Sequence, residues 1–176
     1  ISTVYLLHGE EPFFIDLIEE CIEKNILSDE EKAFNQTIFY GEDSNIKSII
    51  DTARKYPMMS ERQVVIIREA QSLKKIEELV AYLKSPVAST VLVIAHKYKK
   101  LDGRMQLGKL CATNGVVFES KKLYDNQIPE WIGNLLKEYK INSNPEIQTL
   151  LAENLGNDLT KIHKELDKLK LNIPVG

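Results

Sequence analysis

A site that hydrolyses nucleotide needs a glycine-rich loop, G-x-x-x-x-G-K-[ST], between a first strand and its helix. Backbone N–H groups and the lysine hold the phosphates there, and the hydroxyl holds magnesium. The chain opens with a suitable strand, Val4-Tyr5-Leu6-Leu7, and one glycine after it, Gly9. Counting on, the second glycine position is Phe14, the lysine position is Ile15 and the hydroxyl position is Asp16, while Glu10 and Glu11 would repel a triphosphate. The loop is chemically absent. A second stretch, Gly103-Arg104-Met105-Gln106-Leu107-Gly108-Lys109-Leu110, satisfies every position but the last. Leu110 cannot ligate magnesium, and the stretch does not directly follow a strand. The third strand ends in Arg68-Glu69 rather than paired carboxylates, so an acidic magnesium site is poorly made too.

Other chemistries are thinner. His8, His96 and His163 are scattered without ligand spacing, so no metal is expected. Cys21 and Cys111 lie in apolar helical patterns and read as buried, reduced thiols, the usage of a cytoplasmic protein. Lys97, Lys99 and Lys100, with Arg104, form a short basic loop that reads first as solvated surface and second as a weak DNA contact. Neither half of the chain is a polycation. Residues 121–176 hold eight lysines against eight acidic residues, and residues 1–120 hold 15 basic against 18 acidic, for a net charge of -3. The salt-sensitive grip of a dedicated nucleic-acid binder is therefore not expected. No apolar run approaches a membrane span and no signal peptide precedes the first strand, so no membrane partner is expected; the start at Ile1 rather than Met is that of a trimmed chain.

The elements follow from periodicity. Val4–Leu7, Thr37–Tyr40, Val64–Ile67, Val91–Ile94 and Val116–Phe118 are short apolar runs that read as strands. Between them lie helical stripes: Phe14, Leu17, Ile18, Cys21 and Ile22; then Ile46, Ile49, Ile50 and Ala53, with Ser44 as cap; then Leu73, Ile76, Leu79, Val80 and Leu83; then a short helix with Met105, Leu110 and Cys111. Alternation of this kind predicts an α/β fold, a five-stranded parallel sheet with helices on both faces. After Glu119 the strands stop. Three helices are predicted, the first carrying Ile128, Trp131, Ile132, Leu135, Leu136 and Tyr139, with Trp131 substantially buried. Asn144-Pro145 opens the second, with Ile147, Leu150, Leu151 and Leu155 as its stripe, and Asp158 caps the third. The expected domains are a sheet domain over 1–120 and a small helical domain over 121–176. A sheet domain followed by a helical one is the layout of many nucleotide-driven motors.

One stretch fits neither pattern. Tyr56-Pro57-Met58-Met59-Ser60-Glu61-Arg62 precedes the third strand, and Pro57 limits continuation of the preceding helix. Adjacent side chains point in different directions, so one core face does not easily bury both methionines. The pair either fills core beneath a helix end or offers a soft, adaptable binding surface.

Three motifs then carry a resemblance. The opening Val4-Tyr5-Leu6-Leu7-His8-Gly9-Glu10-Glu11-Pro12, the stretch from Tyr56 to Ile67, and Asn157 to Leu169 with its Glu-Leu-x-Lys-Leu core stand in an order that resembles the delta subunit of the bacterial DNA polymerase III clamp loader, over its N-terminal two domains. The resemblance implies an AAA+-like (RecA-like) sheet domain with a defunct phosphate loop, followed by a lid-like three-helix domain, and no ATPase activity. It implies a non-catalytic subunit, in a cytoplasmic replisome, that binds the ring-shaped sliding clamp (the beta subunit) and holds it open for loading onto primed DNA. The holoenzyme's DNA-directed DNA polymerase (nucleotidyltransferase) activity would reside in other chains. The clamp-binding element falls on Tyr56, Pro57, Met58 and Met59. The family's apolar pair, often Leu-Phe or Phe-Phe, is Met58-Met59 here, so aromatic anchoring is lost at those positions. The family's third, collar-forming domain, through which the other loader subunits mainly assemble, has no counterpart in this chain. Two other readings stand beside this one: a divergent nucleotide hydrolase using Gly103 to Lys109, and an adaptor for an unrelated partner.

Overall fold

The structure, a computed structural model, describes residues 1–172. The chain divides into two compact units, Ile1–Lys122 and Leu123–Gly176; residues 173–176 of the second, within the expected span 121–176, lie outside the described residues.

The first unit is built on five parallel strands: β1 (Val4–Gly9), β2 (Gln36–Tyr40), β3 (Gln63–Arg68), β4 (Thr90–His96) and β5 (Val116–Ser120), in the order β2-β3-β4-β1-β5. Val4, Tyr5 and Leu6 of β1 pair with Leu92, Val93 and Ile94 of β4, and Gln36 of β2 pairs with Val64 of β3. Alternate residues of β3 enter opposite cores, which is why its apolar run is continuous rather than alternating. Val65 and Ile67 pack with α3 (Ile46–Ala53), α4 (Val80–Leu83) and α5 (Gln106–Asn114) on one face. Val64 and Ile66 pack with Ile15 and Ile22 of α1 (Pro12–Asn25) on the other. The expected five-stranded α/β sheet, covered on both faces, is the observed one.

Several local expectations need correction. The buried side of α1 is Phe13, Ile15, Glu19 and Ile22, so Leu17 and Cys21 face solvent. The apolar spacing of the sequence is one position out of phase with this face, because a buried glutamate interrupts the pattern. Cys21 is therefore not a buried thiol, whereas Cys111 is, and burial pushes that thiol up to about 12. Asn45, not Ser44, caps α3, accepting from the Ser48 N–H. The stripe from Leu73 to Leu83 is not one helix. A 3-10 turn, Ala70–Ser72, precedes it, and the stripe itself forms a second 3-10 turn, Ile76–Leu79, and then α4, with Tyr82 fully buried among its neighbours. A further helix, α2 (Asp29–Asn35), was not predicted at all. Its signal was present: Ser28 and Glu31 form a reciprocal capping box.

The second unit contains a 3-10 turn at Asp125–Gln127, then α6 (Ile128–Glu138), α7 (Pro145–Leu155) and α8 (Leu159–Asn172), with no strand among the described residues. Asn144 caps α7 and Asp158 caps α8. Ile128, Ile132, Leu136, Leu159, Ile162 and Leu166 form its core. Trp131 is mostly buried, as expected, whereas α7 buries no residue fully; Ile147 and Leu150 of its expected stripe are exposed. Three short helices present too little facing area to close over every apolar stripe.

Candidate protein-docking site

Where a phosphate loop would sit, the backbone donors are already committed. Gly9 has φ +142, and a Cβ there would lie 1.9 Å from the Ser120 carbonyl oxygen, so only glycine permits this approach of β1's end to β5. The Glu10 N–H donates to that same oxygen at 2.9 Å, and the Ser120 hydroxyl donates to the Glu11 carbonyl at 2.7 Å. Glu11 is buried, and its carboxylate caps α1 by accepting from the Phe13 N–H at 3.1 Å. An anion at this helix N-terminus would meet a carboxylate already in place. Ile15 is fully buried and Asp16 faces Lys97 at 2.5 Å. The glycine pair Gly103 and Gly108 forms no cradle either. The helix begins at Gln106, and a Cβ on Gly108 would lie 3.2 Å from the Gly103 Cα, so the turn lies closed against the helix.

At the C-terminal ends of the strands lies an internal ion-pair network instead. Lys97, expected on a solvated loop, is buried, with its ammonium 2.5 Å from Asp16 and 2.9 Å from Glu69. Its burial alone would lower the pKa, but the two carboxylates outweigh that and raise it. Lys97 is thus unavailable to DNA, while Lys99 and Lys100 are exposed, Lys100 pairing with Glu119 at 2.8 Å. Arg68 is held by Glu19, by Glu23 at 2.6 Å and by the Tyr40 hydroxyl. Burial raises the Glu19 pKa against the pull of Arg68, and its Oε2 has no hydrogen-bond partner among the described residues.

Two buried histidines beside this region predict a pH dependence. His8 accepts the Leu101 N–H on Nδ1, and His96 Nδ1 faces the Lys99 carbonyl. Burial lowers both pKa values below 6.5; Glu119 opposes the shift at His8, while His96 and Lys100 reinforce it, and at His96 the hydrogen bond to the Lys99 backbone opposes the shift more than the Lys99 charge reinforces it. A base depressed in the folded state contributes stability that is fully present above its unfolded pKa and lost as pH falls through the folded one. Glu19, raised on folding, works in the opposite sense, contributing stability at low pH that is lost as pH rises. Urea midpoints are therefore expected to fall from about pH 7.5 to about pH 5, and His8→Asn should flatten that slope. An unflattened slope in the variant would assign the effect to other groups.

The methionine stretch is at the opposite end of the sheet, ahead of β3. Its base is closed by Gln63, whose amide donates to the Lys55 carbonyl and to the Thr90 hydroxyl, with the Thr52 and Ala53 carbonyls at the end of α3 also within 3.3 Å of it. Its middle is held by Asn35, the last residue of α2, which is buried. The Asn35 carboxamide donates to the Met58 carbonyl at 2.9 Å and accepts the Met58 N–H at 2.6 Å, imitating the paired bonds of a strand neighbour. Ser60 closes the far side by accepting the Arg62 N–H and donating to the Arg62 carbonyl. With its backbone so fixed, the loop turns its side chains out. Met58 is 62% exposed, Tyr56 is 85% exposed and Met59 is fully exposed. Met59 also has φ 52, a left-handed conformation that costs a non-glycine residue about 1 kcal/mol. Of the two readings of the methionine pair, the structure excludes core filling. Asn35 was missed in the sequence, because nothing in a lone asparagine signals a bond 23 residues away.

The comparisons with known proteins agree with this architecture. The family model for the delta subunit of DNA polymerase III matches residues 5–121. DNA polymerase III subunit delta of Bacillus subtilis (strain 168) is 28% identical over 179 residues, taking in 96% of this chain and 52% of that protein. The solved structure of the Bacillus subtilis DNA clamp loader delta protein superposes with a TM-score of 0.81 at 27% identity, covering 98% of this chain and 54% of that one. The RuvB Holliday junction branch migration motor of Thermotoga maritima superposes with a TM-score of 0.55 at 15% identity, over 97% of this chain and 54% of that one, a likeness of fold alone. The chain thus spans about half the length of the relatives it matches. With an AAA+-like sheet unit, and a family match running from β1 to the end of that unit, the chain belongs to the DNA polymerase III delta subunit family.

Proposed function

We propose that this chain is the part of a clamp-loader delta subunit that docks on the ring-shaped sliding clamp and helps hold one ring interface open for loading onto primed DNA. The observation that carries the reading is the methionine loop: two adjacent apolar side chains, with no role in the core, displayed by a backbone tied at Asn35 and Gln63. Tyr56, Pro57, Met58 and Met59 form the docking element, and an apolar pocket on the ring receives it. The subunit acts without hydrolysing ATP and needs no cofactor, since the residues around Gly9 spend their donors on Ser120 and bring Glu11 to the helix end. It works in the cytoplasm with other loader subunits, and its contact with DNA is indirect. Among the described residues no helix is long and apolar enough to cross a membrane.

Two measurements test this. Saturable binding of the purified chain to the sliding clamp of the same organism is expected, and absence of binding would remove the reading. Mg-ATP is expected to leave the melting curve unchanged; a ligand at tenfold its dissociation constant would stabilise by about 1.4 kcal/mol, a visible shift. A shift abolished by Lys109→Ala would favour the hydrolase reading instead.

A further inference from the structure

Phe34 is the penultimate residue of α2, on a face turned to solvent, and is 73% exposed. The fold gains little from an aromatic ring in that position. Its chain neighbour Asn35 is the residue whose carboxamide holds both backbone groups of Met58. The strands that follow, β2 from Gln36 and β3 from Gln63, are parallel neighbours with Gln36 opposite Val64. The end of α2 and the methionine loop therefore emerge side by side at the same end of the sheet.

We infer that the docking surface is composite: it extends from Met58 and Met59 onto the end of α2, with Phe34 as a third apolar contact and Asn35 as the positioning residue that keeps the two parts together. This rests on the reading of the methionine loop as the clamp-docking element, and the occupant is the same apolar pocket of the ring and its margin. The surface is continuous with that element through the Asn35–Met58 bonds, and it gathers Phe34, Met58 and Met59, three of the large exposed apolar side chains of the sheet unit, at one edge. Asn35 touches no partner. It lowers the ordering cost of binding by fixing the loop beforehand.

The test compares the clamp affinity of the parent chain with Phe34→Ala, Asn35→Asp and Met58→Ala/Met59→Ala, with hydrogen exchange followed over residues 56–60. Phe34→Ala is expected to weaken binding about tenfold or more at an unchanged melting temperature, the effect of removing one well-buried aromatic contact. Asn35→Asp keeps the acceptor for the Met58 N–H but loses the donor to the Met58 carbonyl. It should speed exchange in the loop and weaken binding, although residue 35 is buried. If Phe34→Ala binds like the parent while the methionine variant fails, the composite surface is overturned and the docking function stands. If the methionine variant also binds like the parent, the docking function itself falls and this inference with it. Unchanged loop exchange in Asn35→Asp would overturn the positioning role of Asn35.

Discussion

Replacing Met58 and Met59 together by alanine is expected to lower affinity for the sliding clamp by about two to four decades, with the melting temperature nearly unmoved. Full burial of a methionine side chain is worth about 1.5–3 kcal/mol, so removing two from a bound pocket costs roughly 3–6 kcal/mol. At about 1.4 kcal/mol per decade, that is the loss stated. In the free chain these side chains are largely in water, so their truncation removes little of the folded state's buried area. Substitutions at such exposed positions usually change stability by no more than about 0.5 kcal/mol. The backbone bonds that fix the loop, from Asn35 to Met58 and from Gln63 to Lys55, do not involve either methionine side chain. Binding by titration calorimetry and melting by circular dichroism therefore separate two roles. Loss of binding at constant melting temperature supports docking. A large fall in melting temperature, or unaltered binding, would refute it.

A second large effect is expected inside the fold. Arg68→Ala should destabilise the sheet unit by about 3 kcal/mol, because it removes the main partner of a carboxylate that stays buried. The Glu19 side chain is 4% exposed and already lacks a partner for Oε2 among the described residues. Lys97 lies near enough to act on Glu19 electrostatically, and the partial exposure of Arg68 admits water, so the loss falls at the lower end for a broken buried pair. Glu19→Gln alone should cost much less, since it removes the charge that burial penalises. In the double variant the cost of Arg68→Ala should shrink, giving a coupling of at least about 1 kcal/mol. Denaturant melts of the four proteins measure it. Additive costs would mean that Arg68 stabilises through packing or through Glu23 and Tyr40, and that Glu19 is indifferent to its loss.

This network also bears on how the C-terminal end of the sheet is organised. In a motor with this sheet, the strand ends and the helix after β1 are held by phosphates and a metal. Here Lys97 joins Asp16 of α1 to Glu69 after β3, and Arg68 joins β3 to Glu19 and Glu23 of α1. Protein charges tie the same elements, so this end of the sheet is organised without ligand.

Much of the architecture was legible in the residues taken in order. Three- and four-residue apolar runs separated by helical stripes determine a parallel sheet covered on both faces, because a continuous branched run can be buried only when both of its sides are. The missing glycine, lysine and hydroxyl after β1 determine that the phosphate loop is defunct, since that chemistry is local and depends on residue type alone. Asn144, Gly156 and Asp158 likewise marked helix ends through local hydrogen bonding. Some of the readings that failed depended on partners distant in the chain, whereas the Asn45 cap of α3 and the Ser28–Glu31 box of α2 are local. The phase of α1 is displaced because Glu19 is inside, which Arg68, 49 residues away, helps make tolerable. Lys97 left the surface because Asp16 and Glu69 converge on it from two other elements. The methionine pair fits core or surface by residue type alone, and is displayed because Asn35 holds the Met58 backbone. Residue type and spacing specify local conformation and which chemistry is absent. Whether a polar group is buried, and whether an apolar one is displayed, is decided by a free-energy balance over neighbours that only the folded chain brings together.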